Sequence, residues 1–222
     1  MSVPSTPGVP PSVAIQRLFG DIDIYLFDQL ARGRFDERRR VLDVGCGGGR
    51  NLHYLMAQGY HCSGIDRDAR AIEQIRRQAQ ALWRGACQPR GASALGNTVD
   101  RFVVGEADAL PWDDSSFDVV ICSALLHFAD DAAHFGRMVT EMWRVLGPHG
   151  LFFARLASTI GLDGFEGAAG RRIRLPDGSD RFVVDEPMLL EWTARLGGTL
   201  ADPIKTTNVQ QMRCMTTWCV WK

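Results

Sequence analysis

The chain has no apolar run long enough to span a bilayer, and its first residues carry neither the basic nor the apolar segment of a secretory signal. Those absences point to a cytoplasmic protein with no membrane partner. It also lacks an excess of charge of either sign: 25 Lys and Arg stand against 26 Asp and Glu, a net charge of −1 with histidine neutral. Basic residues cluster only at Arg38-Arg39-Arg40 and Arg171-Arg172, with no aromatic-interleaved stripe, so these read as solvated faces and no nucleic-acid partner is expected. The six cysteines (Cys46, Cys62, Cys87, Cys122, Cys214, Cys219) form no Cys-x-x-Cys pair and have no histidine at metal-ligand spacing. No metal site is expected, and the thiols read as reduced, buried packing residues.

With 222 residues and ordinary apolar content, one domain with one substantial core is the default. The strongest signal is Val41-Leu42-Asp43-Val44-Gly45-Cys46-Gly47-Gly48-Gly49-Arg50-Asn51, an apolar strand that ends in a glycine-rich turn and opens a helix. Glycine admits positive φ and lets a ligand approach where a Cβ would collide, and the helix start offers unpaired N–H groups. A dinucleotide turn of the Gly-x-Gly-x-x-Gly kind would carry an apolar residue at position 43 and a third glycine at position 50. Here these are Asp43 and Arg50.

From this turn onward the sequence resembles the class I S-adenosylmethionine-dependent methyltransferases of small-molecule type, over roughly residues 38–156. His61 to Asp66 reads as a second strand ending in an acid, and Gly105-Glu106-Ala107-Asp108-Ala109-Leu110-Pro111-Trp112 resembles the third motif of that family. Phe117 to Cys122, then Ser123-Ala124-Leu125-Leu126-His127-Phe128, resembles the fourth strand and the loop facing the methyl group; Trp143 to Phe153 resembles the following helix, turn and fifth strand. The resemblance implies S-adenosylmethionine as cofactor and S-adenosylhomocysteine as product. It places Asp43 near the methionine amino group, the turn residues Gly45, Cys46, Gly47 and Gly49 against the cofactor, and Asp66, followed by Arg67, at the ribose hydroxyls. Arg50 suits the methionine carboxylate or is a surface helix arginine. Either Glu106 or Asp108 meets the adenine amino group, with Ala107 offering its N–H, and Ser123 lies at the cofactor end of the loop.

On the acceptor side, His127 is a candidate general base or a structural loop histidine. Arg155 is a candidate anchor for an anionic substrate group, or pairs with an acid such as Asp118 or Asp163.

Alternating strands and helices predict one α/β domain, Rossmann-like, with a seven-stranded, mostly parallel sheet, an antiparallel last strand and helices on both faces. Residues 1–12 read as a disordered tail. Residues 13–222 form the domain, with a cap helix over 13–35 broken near Gly20, a surface loop over 84–98, and a candidate lid or substrate loop over 157–182. A small-molecule acceptor, in a monomer or homodimer, is the leading reading. A non-catalytic cofactor-binding or scaffold protein and a macromolecule-directed methyltransferase are the alternatives. The nucleic-acid form of the latter is disfavoured because Ser123-Ala124-Leu125 stands where a Pro-Pro-aromatic motif would be. A nicotinamide oxidoreductase is disfavoured by Asp43 and Arg50.

Overall fold

The computed structural model describes residues 10–85 and 101–222. Strands β1 (Arg40–Val44), β2 (His61–Asp66), β3 (Phe102–Val104), β4 (Phe117–Ser123) and β5 (Leu146–Ser158) pair in parallel in the order β3-β2-β1-β4-β5. The long strand β10 (Arg213–Trp221) then runs antiparallel to β5, with Trp218 opposite Ala154. On its far edge β10 carries β8 (Thr199–Leu200) at one end and β9 (Lys205–Val209) at the other. The expected plan holds, and the count rises to eight because the outer strand is split. The gap contains Pro203, which has no N–H to donate to a ladder, and Asp202, which accepts hydrogen bonds from Arg34 and Gln29 instead.

Helices α1 (Pro11–Phe19), α2 (Ile24–Ala31), α3 (His53–Ala57), α4 (Ala69–Gly85), α5 (Ala132–Val145) and α6 (Glu186–Arg195) flank the sheet. Side chains alternate across a strand, so neighbours divide between two cores. Leu42, Val120 and Phe152 join the layer under α5 and α6 with Phe135, Met138 and Leu189. Val41, Val119 and Phe153 join the layer with Leu26, Leu55, Ile72 and Ile75 from α2 to α4. Strands buried on both faces explain the near-continuous apolar runs of the sequence. Trp218 is fully buried, edge-on to Phe152, with its indole N–H donating to Thr193, in keeping with a packing role.

Several expectations need correction. Helix α1 begins at Pro11, so residues 11 and 12 are helical and not tail; proline at the first helical position is preset for it. The cap is two helices, broken at Gly20 (φ 61°). Residues 1–9, and 86–98 of the expected surface loop, lie outside the described residues, while 84 and 85 end α4. The segment 157–182 is not an open loop. It holds β6 (Arg171–Arg174) and most of β7 (Asp180–Val183), which pair as a hairpin, and its Ala157, Leu162 and Leu175 pack with Val183 and Cys214 in a third small core. Its glycines and polar residues masked that apolar set. Among the described residues no helix is long and apolar enough to cross a membrane.

Candidate functional site

The carboxyl ends of β1, β2 and β4 meet at the glycine turn, the place where open α/β sheets hold ligands. Gly45 and Cys46 donate to the Ile65 carbonyl at 2.8 and 3.1 Å, and the Gly49 carbonyl accepts from Leu52 and His53 to start the helical turn leading into α3. The turn is tied to β2 by Asp66, whose carboxylate accepts the N–H of Gly47 and of Asp68, each at 2.9 Å. Each oxygen keeps a lone pair open on a partly exposed side chain. Arg67, next in sequence, is exposed. Gly47 has φ 51°, and a Cβ there would meet no atom of the described residues within 4 Å, so none of them fills the space above the turn. Gly49 is different: at φ 84° its Cβ would lie 2.5 Å from Ile75 Cδ1, so it is small for packing.

Asp43, the last residue but one of β1, has 1 % of its surface exposed, and its Oδ2 has no hydrogen-bond partner among the described residues. Burial pushes the carboxyl up to about 7; the Asp66 charge adds to this, while Arg50 and Asn51 oppose it. A buried acceptor without a donor is costly, and a cationic group placed beside it would offset that cost. Cys46 is buried beside Gly64, and burial pushes its thiol up, which leaves it an inert packing residue.

An unforeseen acid joins the site. Asp23 caps α2 by accepting the Tyr25 N–H, while its Oδ2 accepts from Ser123 Oγ (3.1 Å) and Arg155 Nη1 (3.0 Å). Its own N–H donates to Asn51 Oδ1. Arg50, 46 % exposed, donates to Ser123 Oγ at 3.1 Å and to the Asp21 carbonyl at 3.4 Å, and lies 4.0 Å from Asp23 Oδ2. Arg155 therefore pairs with neither Asp118 nor Asp163; Asp118 is taken by Arg40. An aspartate before an apolar helical set is a legible cap signal, but its link to Ser123 and Arg155 is not.

The two acids of the third motif have different surroundings. Asp108 is drawn to α5 by Arg137 Nε (3.2 Å), whereas Glu106 is exposed and its carboxylate has no partner among the described residues. Ala107, between them, packs on the core edge.

After β4 the chain turns through Ala124 (φ 64°), whose N–H donates to the Arg155 carbonyl, and packs Leu125 against Gly45. His127 follows, 5 % exposed, with its Nδ1 unpartnered among the described residues and its ring 4.7 Å from that of Phe128. Burial first, then the charges of Arg181 and Arg213, pull its pKa down to about 4. The imidazole is neutral near pH 7 and a weak base.

A family model described as methyltransferase domain matches residues 42–154, from the first strand through the fifth. The chain belongs to the class I S-adenosylmethionine-dependent methyltransferases.

Among curated relatives it is 30 % identical over 147 residues to a malonyl-[acyl-carrier protein] O-methyltransferase of Erwinia billingiae, which covers 65 % of this chain and 49 % of that protein. It is 34 % identical over 116 residues to a phthiotriol/phenolphthiotriol dimycocerosates methyltransferase of Mycobacterium leprae, 50 % of this chain and 35 % of that one. The chain spans about half the length or less of these relatives. The fold matches magnesium protoporphyrin IX methyltransferase of Synechocystis with bound S-adenosylhomocysteine at TM-score 0.64 and 16 % identity, over 98 % of this chain and 90 % of the other. S-adenosylmethionine is the cofactor of this methyltransferase family. The residues fit it: Asp43 offers an unpaired buried carboxylate for an ammonium, Asp66 has open lone pairs for hydroxyls, and the space over Gly47 admits a ligand.

Proposed function

We propose that this methyltransferase moves the methyl group of S-adenosylmethionine to an oxygen, nitrogen or sulfur atom of a small-molecule acceptor by in-line displacement. The observation that carries this reading is Asp43, buried at the head of the glycine turn with one oxygen unpaired. Asp43 would hold the amino group, Arg50 the carboxylate, Asp66 the ribose and Glu106 the adenine amino group. When bound, the cofactor supplies a methyl group on a positively charged sulfur leaving group. What the chain adds is alignment, which contributes roughly 7 to 11 kcal/mol to such reactions. His127 would take part as a neutral hydrogen-bond acceptor through Nδ1, orienting the attacking atom. Arg155, committed to Asp23, would hold the N-terminal helices over the cleft.

The relatives named for malonyl-acyl-carrier protein and for phthiotriol dimycocerosates, and the fold neighbour named for magnesium protoporphyrin, support an acceptor that is a metabolite. The test is calorimetric titration with S-adenosylmethionine, S-adenosylhomocysteine and NADH, alongside Asp66→Ala. Losing hydrogen bonds to a charged group costs about 1.5 to 3 kcal/mol, so the variant should bind both sulfur ligands at least tenfold more weakly. No binding by the parent protein, or binding of NADH instead, would refute the reading.

A further inference from the structure

The hairpin β6–β7 brings two guanidinium groups onto the loop that follows β4. Arg172 Nη1 donates to the carbonyls of Phe128 (3.3 Å) and Ala129 (3.4 Å). Arg181 lies with Cζ 4.8 Å from the centre of the Phe128 ring. Neither arginine has a carboxylate within ion-pairing distance among the described residues. Carboxylates close by in sequence have other partners: Asp180 pairs with Arg174, Asp177 with Arg213, and Asp130 with His134. Two cations without a carboxylate partner among the described residues thus stand at Phe128, Arg172 on its carbonyl and Arg181 by its ring; the residue is 40 % exposed and follows His127, a buried histidine whose Nδ1 has no partner among the described residues. In a chain whose net charge is only −1, this is a local positive field.

Arg172 uses one nitrogen on the backbone, and Arg181 uses one on the Asp180 carbonyl, so both keep donors free. The planar fork of an arginine suits carboxylate and phosphate oxygens, and an exposed phenyl ring gives an organic anion apolar surface to lie on. We infer that the acceptor of this methyltransferase carries an anionic group, a carboxylate or phosphate, which Arg172 and Arg181 hold over Phe128. The inference rests on the proposed function, because it assigns the substrate class of the same site. Arg181 and Arg213 also lie near enough to His127 to add their charges to the burial that lowers its basicity. β7 packs Phe182 against Phe135 and so delivers Arg181 to the loop.

The test is calorimetry on protein saturated with S-adenosylhomocysteine, using benzoate, phenyl phosphate and uncharged benzamide as probes. At least one anion should bind while benzamide does not, and the stronger anion tells carboxylate from phosphate. The double variant Arg172→Gln, Arg181→Gln should weaken that anion at least tenfold with unchanged affinity for S-adenosylhomocysteine. Arg195→Gln on α6, a cation against Trp192 in a different part of the fold, should leave it unaltered. Binding of neither anion, equal binding of benzamide, equal binding by the double variant, or equal weakening by Arg195→Gln would overturn the inference. Failure to bind S-adenosylhomocysteine would instead strike the proposed function itself.

Discussion

Asp23 and Arg155, 132 residues apart, meet in an ion pair of 3.0 Å in which the aspartate side chain is wholly buried. The pair ties the start of α2 to the middle of the sheet, and through Ser123 and Arg50 it reaches the cofactor turn. Breaking a buried pair by deleting one partner typically costs about 3 to 5 kcal/mol, because the other charge is stranded. Asp23→Ala should lower stability by about that amount in urea unfolding and weaken S-adenosylmethionine binding. Asp23→Asn, whose single amide oxygen still accepts from either the Tyr25 N–H or Ser123 Oγ, should cost less. An Asp23→Asn variant as stable as the parent would mean that the charge is unimportant.

The ionisation of Asp43 makes cofactor binding depend on pH. Its folded pKa is about 7, against roughly 3.9 in an unfolded chain. The folded protein therefore holds this proton more tightly, which stabilises it at low pH, and that contribution is lost as pH rises from about 4 through about 7. A cofactor ammonium beside Asp43 favours the carboxylate, so binding should release a proton. Affinity for S-adenosylmethionine should rise between pH 6 and 8, and at pH 6.5 the binding enthalpy should differ between phosphate and Tris buffers. Asp43→Asn should remove that buffer dependence. An enthalpy independent of buffer in the parent protein would exclude this coupling.

Two glycines of one turn should respond in opposite ways. Gly49→Ala places a methyl group against Ile75 at positive φ, combining overpacking with left-handed strain of about 1 to 3 kcal/mol and about 1 to 2 kcal/mol. Gly47→Ala meets no protein atom and carries only the strain. Thermal unfolding should therefore shift more for Gly49→Ala. Calorimetry should show the larger loss of cofactor affinity, tenfold or more, for Gly47→Ala relative to its stability loss. A Gly47→Ala variant with unaltered affinity would show that the space above this residue is not the cofactor's.

The features legible in sequence are those that a local pattern encodes. The strand–turn–helix at Asp43, the acid closing β2 and helix α6 at Glu186–Arg195 all follow from apolar period, glycine and capping residues. Asp23 was within the expected cap segment, yet its role depends on Ser123 and Arg155, which only the tertiary fold brings near. Strand β6 was hidden because Ile173 and Leu175 are sparse among glycines and arginines, and the burial of Leu175 depends on Leu162. Arg171-Arg172 read as a solvated pair for the same reason: nothing local says that Arg172 reaches the Phe128 carbonyl.

His127 is the residue whose chemistry the fold changes most. An exposed histidine titrates near 6.5, but burial beside Arg181 and Arg213 brings this one to about 4. Because its folded pKa is depressed, the neutral ring contributes stability above about 6.5 that is lost as pH falls through about 4. His127→Leu, apolar and of similar bulk, should remove that loss. Relative to the parent, the variant should gain about 2 kcal/mol on going from pH 7 to pH 5, read from urea unfolding at both values. Subtracting one protein from the other cancels Asp43, whose contribution runs in the opposite direction. The same low pKa means that turnover at saturating cofactor should show no step near pH 6.5 attributable to this residue. A step there that disappears in His127→Gln would show that the imidazole titrates in solvent and works as an ordinary general base.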